Sequence, residues 1–395
     1  MTVGRHLARR PVWIGAAALV LGVLVAVLSL VAAGGDASRL VRAAPPWTEP
    51  ATAPVELTVL EDGDGFDGQF FYRLSLDPLA TGEGEVAGVT YDIPALRTAR
   101  ITYPALTWVF SLGGQVSLLP WALIAVNVLA LGGLGWAAAH LAVSVGRSAP
   151  WGLLAALHPG FVYSLTFDLA EIVTCMFGVA ALVALQRGRW VLSVVALIAA
   201  ALSRETGLVF PLAVLMAAVL PNIGARRRGR EQRSREAVVA LTAVLSFLLW
   251  QLLVAARTGV LPVLSSAGNN LELPFAGLLG ALEAFLPPID SGVALRVVTL
   301  SLIVLVGLAA GVGVRRAPTV LVWAWLGALA VVAVSSDFVW AGATGFARAS
   351  SEAMVLGVLV AGAGTTRLSR AVRSAMVVAM PVVWGLTLLA QLGKL

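Results

Sequence analysis

Apolar runs of about 20 residues recur along almost the whole of this 395-residue chain. A bilayer is the solvent that suits them, because ~20 apolar residues of α-helix span its hydrocarbon core. Only 12% of the residues are charged, about half the ~25% of a soluble domain, and the mean hydropathy is +0.91. A soluble enzyme, a nucleic-acid-binding module and a disordered scaffold are thereby excluded. The expected fold is an all-α polytopic integral membrane protein of about 11 spans (10–12), at 12–33, 116–145, 150–167, 170–186, 190–203, 206–222, 236–256, 292–313, 318–335, 340–363 and 374–393. A juxtamembrane helix is expected at 103–112. Val12–Ala33, at 22 residues, exceeds the ~7–15-residue core of a cleaved signal peptide, which makes it a retained signal-anchor helix.

Alternating crossings from an inner N-terminus put 17 of the 27 basic residues inside, with at least one Arg in every inner loop. That bias is what sets orientation in short loops, and it puts the N-terminus and the Arg-bearing short loops on the inner side. Of the 21 acids, 19 then lie outside. The expected organisation is a signal anchor (1–33), an outer loop with juxtamembrane helices (34–115), a helical module with short spans (116–256), a second outer loop (257–291) and C-terminal spans (292–395). The 14-residue run 190–203 reaches only ~21 Å at 1.5 Å per residue, so Arg204 and Glu205 sit at or below the outer interface. No pair of broken helices stands out in matching halves, which weighs against a transporter. The basic loop 226–235 fixes topology and meets anionic headgroups. Many of the 12 Trp fall near span ends, as an interfacial belt requires. The lone Cys175 excludes an intramolecular disulfide.

The outer loop contains EDGDGFDGQFFYRLSLDP, residues 61–78, in which Glu61, Asp62, Asp64 and Asp67 crowd together between glycines. Three modest readings compete with a functional one: Asp67 as N-cap of a helix over 68–76, a structural calcium turn at 62–65, or plain solvation. Asp168 and Glu171, one helical turn apart in LTFDLAEIV, are either a shared catalytic face or the wet tip of an interfacial hairpin. Arg204–Glu205 between two apolar spans is costly unless paired or lining a cavity. Arg348, inside the apolar run after Ser335, needs an anionic partner, either a lipid phosphate or Asp337. His158, before Pro159, reads as a kinked-helix histidine.

FDGQFFYRLSLDP, then Tyr91-Asp92-Ile93-Pro94, Arg97 and Arg100-Ile101-Thr102-Tyr103-Pro104, resembles a family of bacterial polytopic proteins associated with cell-surface glycopolymer formation and similar to GT-C glycosyltransferases. The matching motifs cover residues 66–104, with Phe66 where Tyr is usual. The resemblance implies transfer of a sugar from a polyprenyl-phosphate-linked donor to a glycan or lipid acceptor at the outer face. It maps the catalytic acid, as base or metal ligand, onto Asp67. Arg100, Arg204 and Arg348 would hold the phosphate, and Glu205, Asp168, Glu171, Gln69 and Tyr72 would contact or orient donor and sugar. Asp62 and Asp64 are candidate metal ligands, so a divalent cation is a candidate cofactor. The expected partners are thus the lipid-linked sugar, membrane lipid and a glycan acceptor, with no nucleic acid. The rival readings are a transporter or flippase for lipid-linked sugars and a non-enzymatic membrane partner. A membrane acyltransferase would need a polar-set His that the chain lacks.

Overall fold

The computed structural model describes residues 10–61, 63, 65–80, 84–220, 229–265, 270–286 and 290–393. It is all-helical, with no strand among them. Asp62 and Asp64, the candidate metal ligands, fall outside the described residues.

Helix α1 (Pro11–Ala32) opens with Pro at its first turn, where a missing N–H costs nothing. It crosses the N-terminal part of the bundle and packs along α5 (Leu119–Ser144). The contact is lined by small residues; a Cβ on Gly135 would lie 2.6 Å from Ala18. Small residues let apolar helices approach closely where lipid supplies no hydrophobic drive. Between α1 and α5 run three short helices, α2 (Gly68–Leu76), α3 (Pro94–Ala99) and α4 (Thr102–Phe110). The expected 68–76 and 103–112 helices are therefore present. Helix α2, however, is not one-faced: Gly68 through Ser75 are all buried. Residues 36–60 cover one side of it, and α4 and α5 cover the other.

Among the described residues, five helices are long and apolar enough to cross a membrane: Pro11–Ala32, Val116–Ser144, Glu231–Thr258, Ser291–Arg316 and Arg367–Leu392. Five shorter apolar helices correspond to other expected spans. Two runs expected to be continuous are broken. The 150–167 run divides into α6 (Trp151–Ala156) and α7 (Gly160–Thr166) at His158–Pro159, because Pro lacks a donor and disfavours helix in the residue before it. Next come α8 (Glu171–Gln186), α9 (Trp190–Ser203), α10 (Val209–Val219), α11 (Arg230–Thr258), α12 (Ser291–Gly313) and α13 (Thr319–Ala333). The 340–363 run then divides into α14 (Ala343–Ala349) and α15 (Ser351–Gly362), before α16 (Arg367–Leu392). A tight turn before α14 brings Gly345 so close to Val339 that a Cβ would meet its carbonyl oxygen at 2.3 Å.

The two broken segments pack together, α7 against α14. His158 Nε2 lies 2.7 Å from the Ala347 carbonyl and donates to it, since a carbonyl only accepts. The sequence shows no such pair of interrupted helices in register; the structure creates one by contact. Irregular backbone inside a helical membrane protein is tolerated where protein buries it or a polar cavity receives it.

Candidate functional site

The site forms where the loop between α1 and α5 meets the ends of four later helices. Gly65 has φ +71 and Gly68 has no room for a side chain, its Cβ position lying 2.5 Å from the carbonyls of both Val41 and Phe167. These close approaches bring the 41–42 backbone, the start of α2 and the turn before α8 together. Asp67 is held at their junction. It precedes α2, but its side chain makes no capping hydrogen bond, so the N-cap reading is corrected. The carboxylate is instead taken by two guanidiniums: Arg97 Nη1 donates to Oδ1 at 2.9 Å and Arg348 Nη2 to Oδ2 at 2.7 Å.

Those arginines extend the contact in both directions. Arg97 forks onto Asp92 at 2.7 and 2.6 Å and lies over the Phe70 ring. Arg348 lies over Phe66 and donates from Nε to Glu171 Oε1 at 2.7 Å. The same Glu171 oxygen accepts from Arg204 Nη1 at 2.6 Å, and Ser164 of α7 donates to Oε2 at 2.9 Å. The result is a continuous row, Asp92–Arg97–Asp67–Arg348–Glu171–Arg204, drawn from residues 281 positions apart in the chain at its widest pair. Burial by itself would push the Asp67 carboxyl up, but Arg97 and Arg348 outweigh it and hold the group well below the usual carboxylate range. A carboxyl depressed in this way keeps its pairing above the unfolded value of ~3.9 and loses it only in stronger acid. Asp67 therefore adds no pH dependence to stability near neutrality.

Two further expectations are corrected. Arg348 does not pair with Asp337, whose carboxylate turns to the Phe338 backbone N–H. Asp168 and Glu171 are not the wet tip of a hairpin, because both are fully buried. Nor do they share a helical face, since Asp168 lies before α8 with φ +52, a conformation Asp tolerates better than most residues. Arg204 and Glu205 diverge as neighbours should: Glu205 takes a bidentate pair from Arg100, at 3.0 and 2.6 Å. That pair borders a crevice of about 10 Å³, also lined by Gln251, roughly the room one water needs. Gln69 uses its amide oxygen to accept from Ala44 N–H and Thr48 Oγ1. Tyr72 is fully buried, its hydroxyl without a hydrogen-bond partner among the described residues.

The sequence-level reading assigned no role to Asp92, Arg97, Ser164 or the Thr206–Glu352 hydrogen bond at 2.7 Å. The signal for the first two lay in the YDIP…R motif: an acid before a Pro-started helix and an Arg five residues on. Nothing local marks Ser164 or Glu352. As for a resident cation, both oxygens of Asp67 are occupied by guanidiniums. Among the described residues no three His, Cys, Asp or Glu side chains gather to hold a metal ion. Asp62 and Asp64, the candidate cation ligands, lie outside the described residues.

Asp168 is the exception to this pattern of pairing. Both its oxygens are buried without a partner among the described residues, and burial pushes its carboxyl well above the ordinary value. A raised carboxyl costs nothing below the unfolded pKa, where both states are protonated, and costs more as pH rises. Asp168→Asn is therefore expected to raise the melting temperature at pH 7 by an amount corresponding to ~1 kcal/mol or more, and by much less at pH 4. Equal shifts at both pH values would show that the carboxylate finds a partner.

Comparison with family models, with curated proteins and with solved structures finds no match to this chain, so its site is read from its own geometry.

Proposed function

We propose that this chain is a GT-C-like membrane glycosyltransferase of the bacterial cytoplasmic membrane. It moves a sugar from a polyprenyl-phosphate carrier to a glycan or lipid acceptor at the outer face, in cell-surface glycopolymer assembly. The observation that carries the reading is Arg348, one guanidinium shared by two carboxylates, Asp67 and Glu171. A phosphate diester offers two acceptor oxygens to such a fork, and only Arg348 in the row touches both the loop acid and the helical core.

In the reaction, the acceptor hydroxyl oxygen bonds to the anomeric carbon as that carbon's bond to the donor phosphate oxygen breaks. The electron pair leaves with the polyprenyl phosphate, and the hydroxyl proton goes to Asp67. A carboxylate gripped by two arginines is a weak base. When the donor phosphate competes for Arg348, one of those cations is withdrawn and the proton affinity of Asp67 rises toward what general-base catalysis needs. Glu171 and Arg204 keep Arg348 within reach, and Arg100–Glu205 borders the crevice beside them.

The experiment is a deletion strain analysed for surface glycans and lipid-linked sugars. Loss of one glycan component with accumulation of its lipid-linked precursor is the expected result; unchanged glycans would sink the reading. Topology is tested separately, with reporter fusions after Asp77, Arg230 and Leu395. They should read outside, inside and outside, and an inner signal at Asp77 would remove the outer-face mechanism. A transporter for lipid-linked sugars is the second reading, favoured by the two broken segments packed at His158–Ala347. It is separated by the lipid precursor: a transporter-deficient strain retains it in the inner leaflet, a transferase-deficient strain in the outer.

A further inference from the structure

Helix α15 has a second charged end. Arg348 and the acidic row lie before its first residue, and its 12 residues carry the chain ~18 Å to Gly362. There two arginines from different helical segments converge on the same carbonyls. Arg147, after α5, donates to the carbonyls of Gly362 and Gly364. Arg373, in α16, donates to the Gly364 carbonyl and to Ser369 Oγ. Arg373 is only 8% exposed.

One arginine at a helix C-terminus is ordinary, since the last carbonyls carry about half a negative charge. Two guanidiniums bring about four times that amount, so helix capping accounts for part of the charge and leaves a surplus. No carboxylate neutralises it: among the described residues neither Arg147 nor Arg373 forms an ion pair. Arg370 is exposed one turn before Arg373 on α16. The Trp151 ring lies beside Gly362, which Arg147 also touches. Together the two guanidiniums carry ten N–H donors, more than the roughly six acceptor sites of two carbonyls and a hydroxyl can absorb.

We propose that Arg147, Arg370 and Arg373 form a phosphate-binding site at the end of the bundle opposite the Asp67 row. Its ligand is the phosphate of an anionic phospholipid headgroup or a free phosphate ion. The site is independent of any transfer reaction. Basic pockets between membrane helices recognise anionic headgroups through this chemistry, and the paired oxygens of a phosphodiester match a guanidinium fork.

The test is thermal unfolding of the purified full chain in neutral detergent, titrated with short-chain phosphatidylglycerol, short-chain phosphatidylcholine or inorganic phosphate. Phosphatidylglycerol should raise the melting temperature saturably by ~3 °C or more, and Arg147→Gln and Arg370→Gln should each remove at least half of the shift. If inorganic phosphate alone reproduces the shift, the site stands and its ligand is the free ion. An equal shift with phosphatidylcholine, or an unchanged shift in both variants, overturns the proposal. Should Arg147→Gln fail to fold, exposed Arg370→Gln carries the test alone.

Discussion

Asp67→Asn is expected to reduce sugar transfer by ~10²–10⁴-fold or more, the usual worth of general-base catalysis, while the protein still folds. The folding half of that expectation rests on how the row is wired. Removing the carboxylate leaves Arg97 with its fork on Asp92 and Arg348 with Glu171. Neither guanidinium is stranded, and Asn still accepts one hydrogen bond, so the stability loss should stay near ~1–2 kcal/mol. A capping role would have predicted little loss of either kind, since Asn caps a helix as well as Asp does, but the Asp67 side chain caps nothing. The comparison is made on purified protein, with turnover measured beside the melting temperature. Near-wild-type turnover with normal stability would remove Asp67 from the mechanism.

Glu171→Gln should have the opposite profile, with stability as the dominant loss. Its carboxylate is fully buried and serves Arg204, Arg348 and Ser164 at once. Arg348 keeps Asp67 afterwards, but Arg204 loses the one ion-pair partner it has among the described residues. Removing one member of a buried pair costs ~3–5 kcal/mol, because the other charge stays buried and uncompensated. Unfolding of Glu171→Gln in detergent should therefore begin far below the wild type. The double variant Glu171→Gln/Arg204→Gln should recover part of the loss. If the double variant is as unstable as the sum of the single ones, the pairing carries no coupling energy and the row is not a unit.

These two substitutions also mark what can be read without a structure. The helix over 68–76 and Asp67 as a residue to single out were visible because glycines, acids and aromatics crowd one short segment. That Arg204 and Glu205 need not pair with each other followed from their adjacency on the chain. Their partners did not follow, since Glu171 and Arg100 are fixed by how distant segments dock. The breaks at His158–Pro159 and around Ser350 were hidden for a related reason. Proline hinted at the first, but the apolar runs on either side were long enough to pass as single spans, and only the contact between His158 and Ala347 shows that the two interruptions form one feature. Asp168 and Glu171, one turn apart in sequence, could share a face only on a continuous helix; the helix begins at Glu171, and the left-handed backbone of Asp168 lies outside any periodic pattern.

The row from Asp92 to Arg204 holds three carboxylates and three guanidiniums, so with all six ionised it is electroneutral. Seen from beyond a Debye length, ~8 Å at physiological ionic strength, it projects almost no field. An anionic lipid would not be steered toward such a site through the solvent, as ligands are toward clefts of one sign. It would arrive by lateral diffusion in the membrane and feel the charges only on contact, where it must compete with an existing carboxylate for its arginine. Capture by this site should then be nearly indifferent to salt, with selectivity set by the exchange of one anion for another.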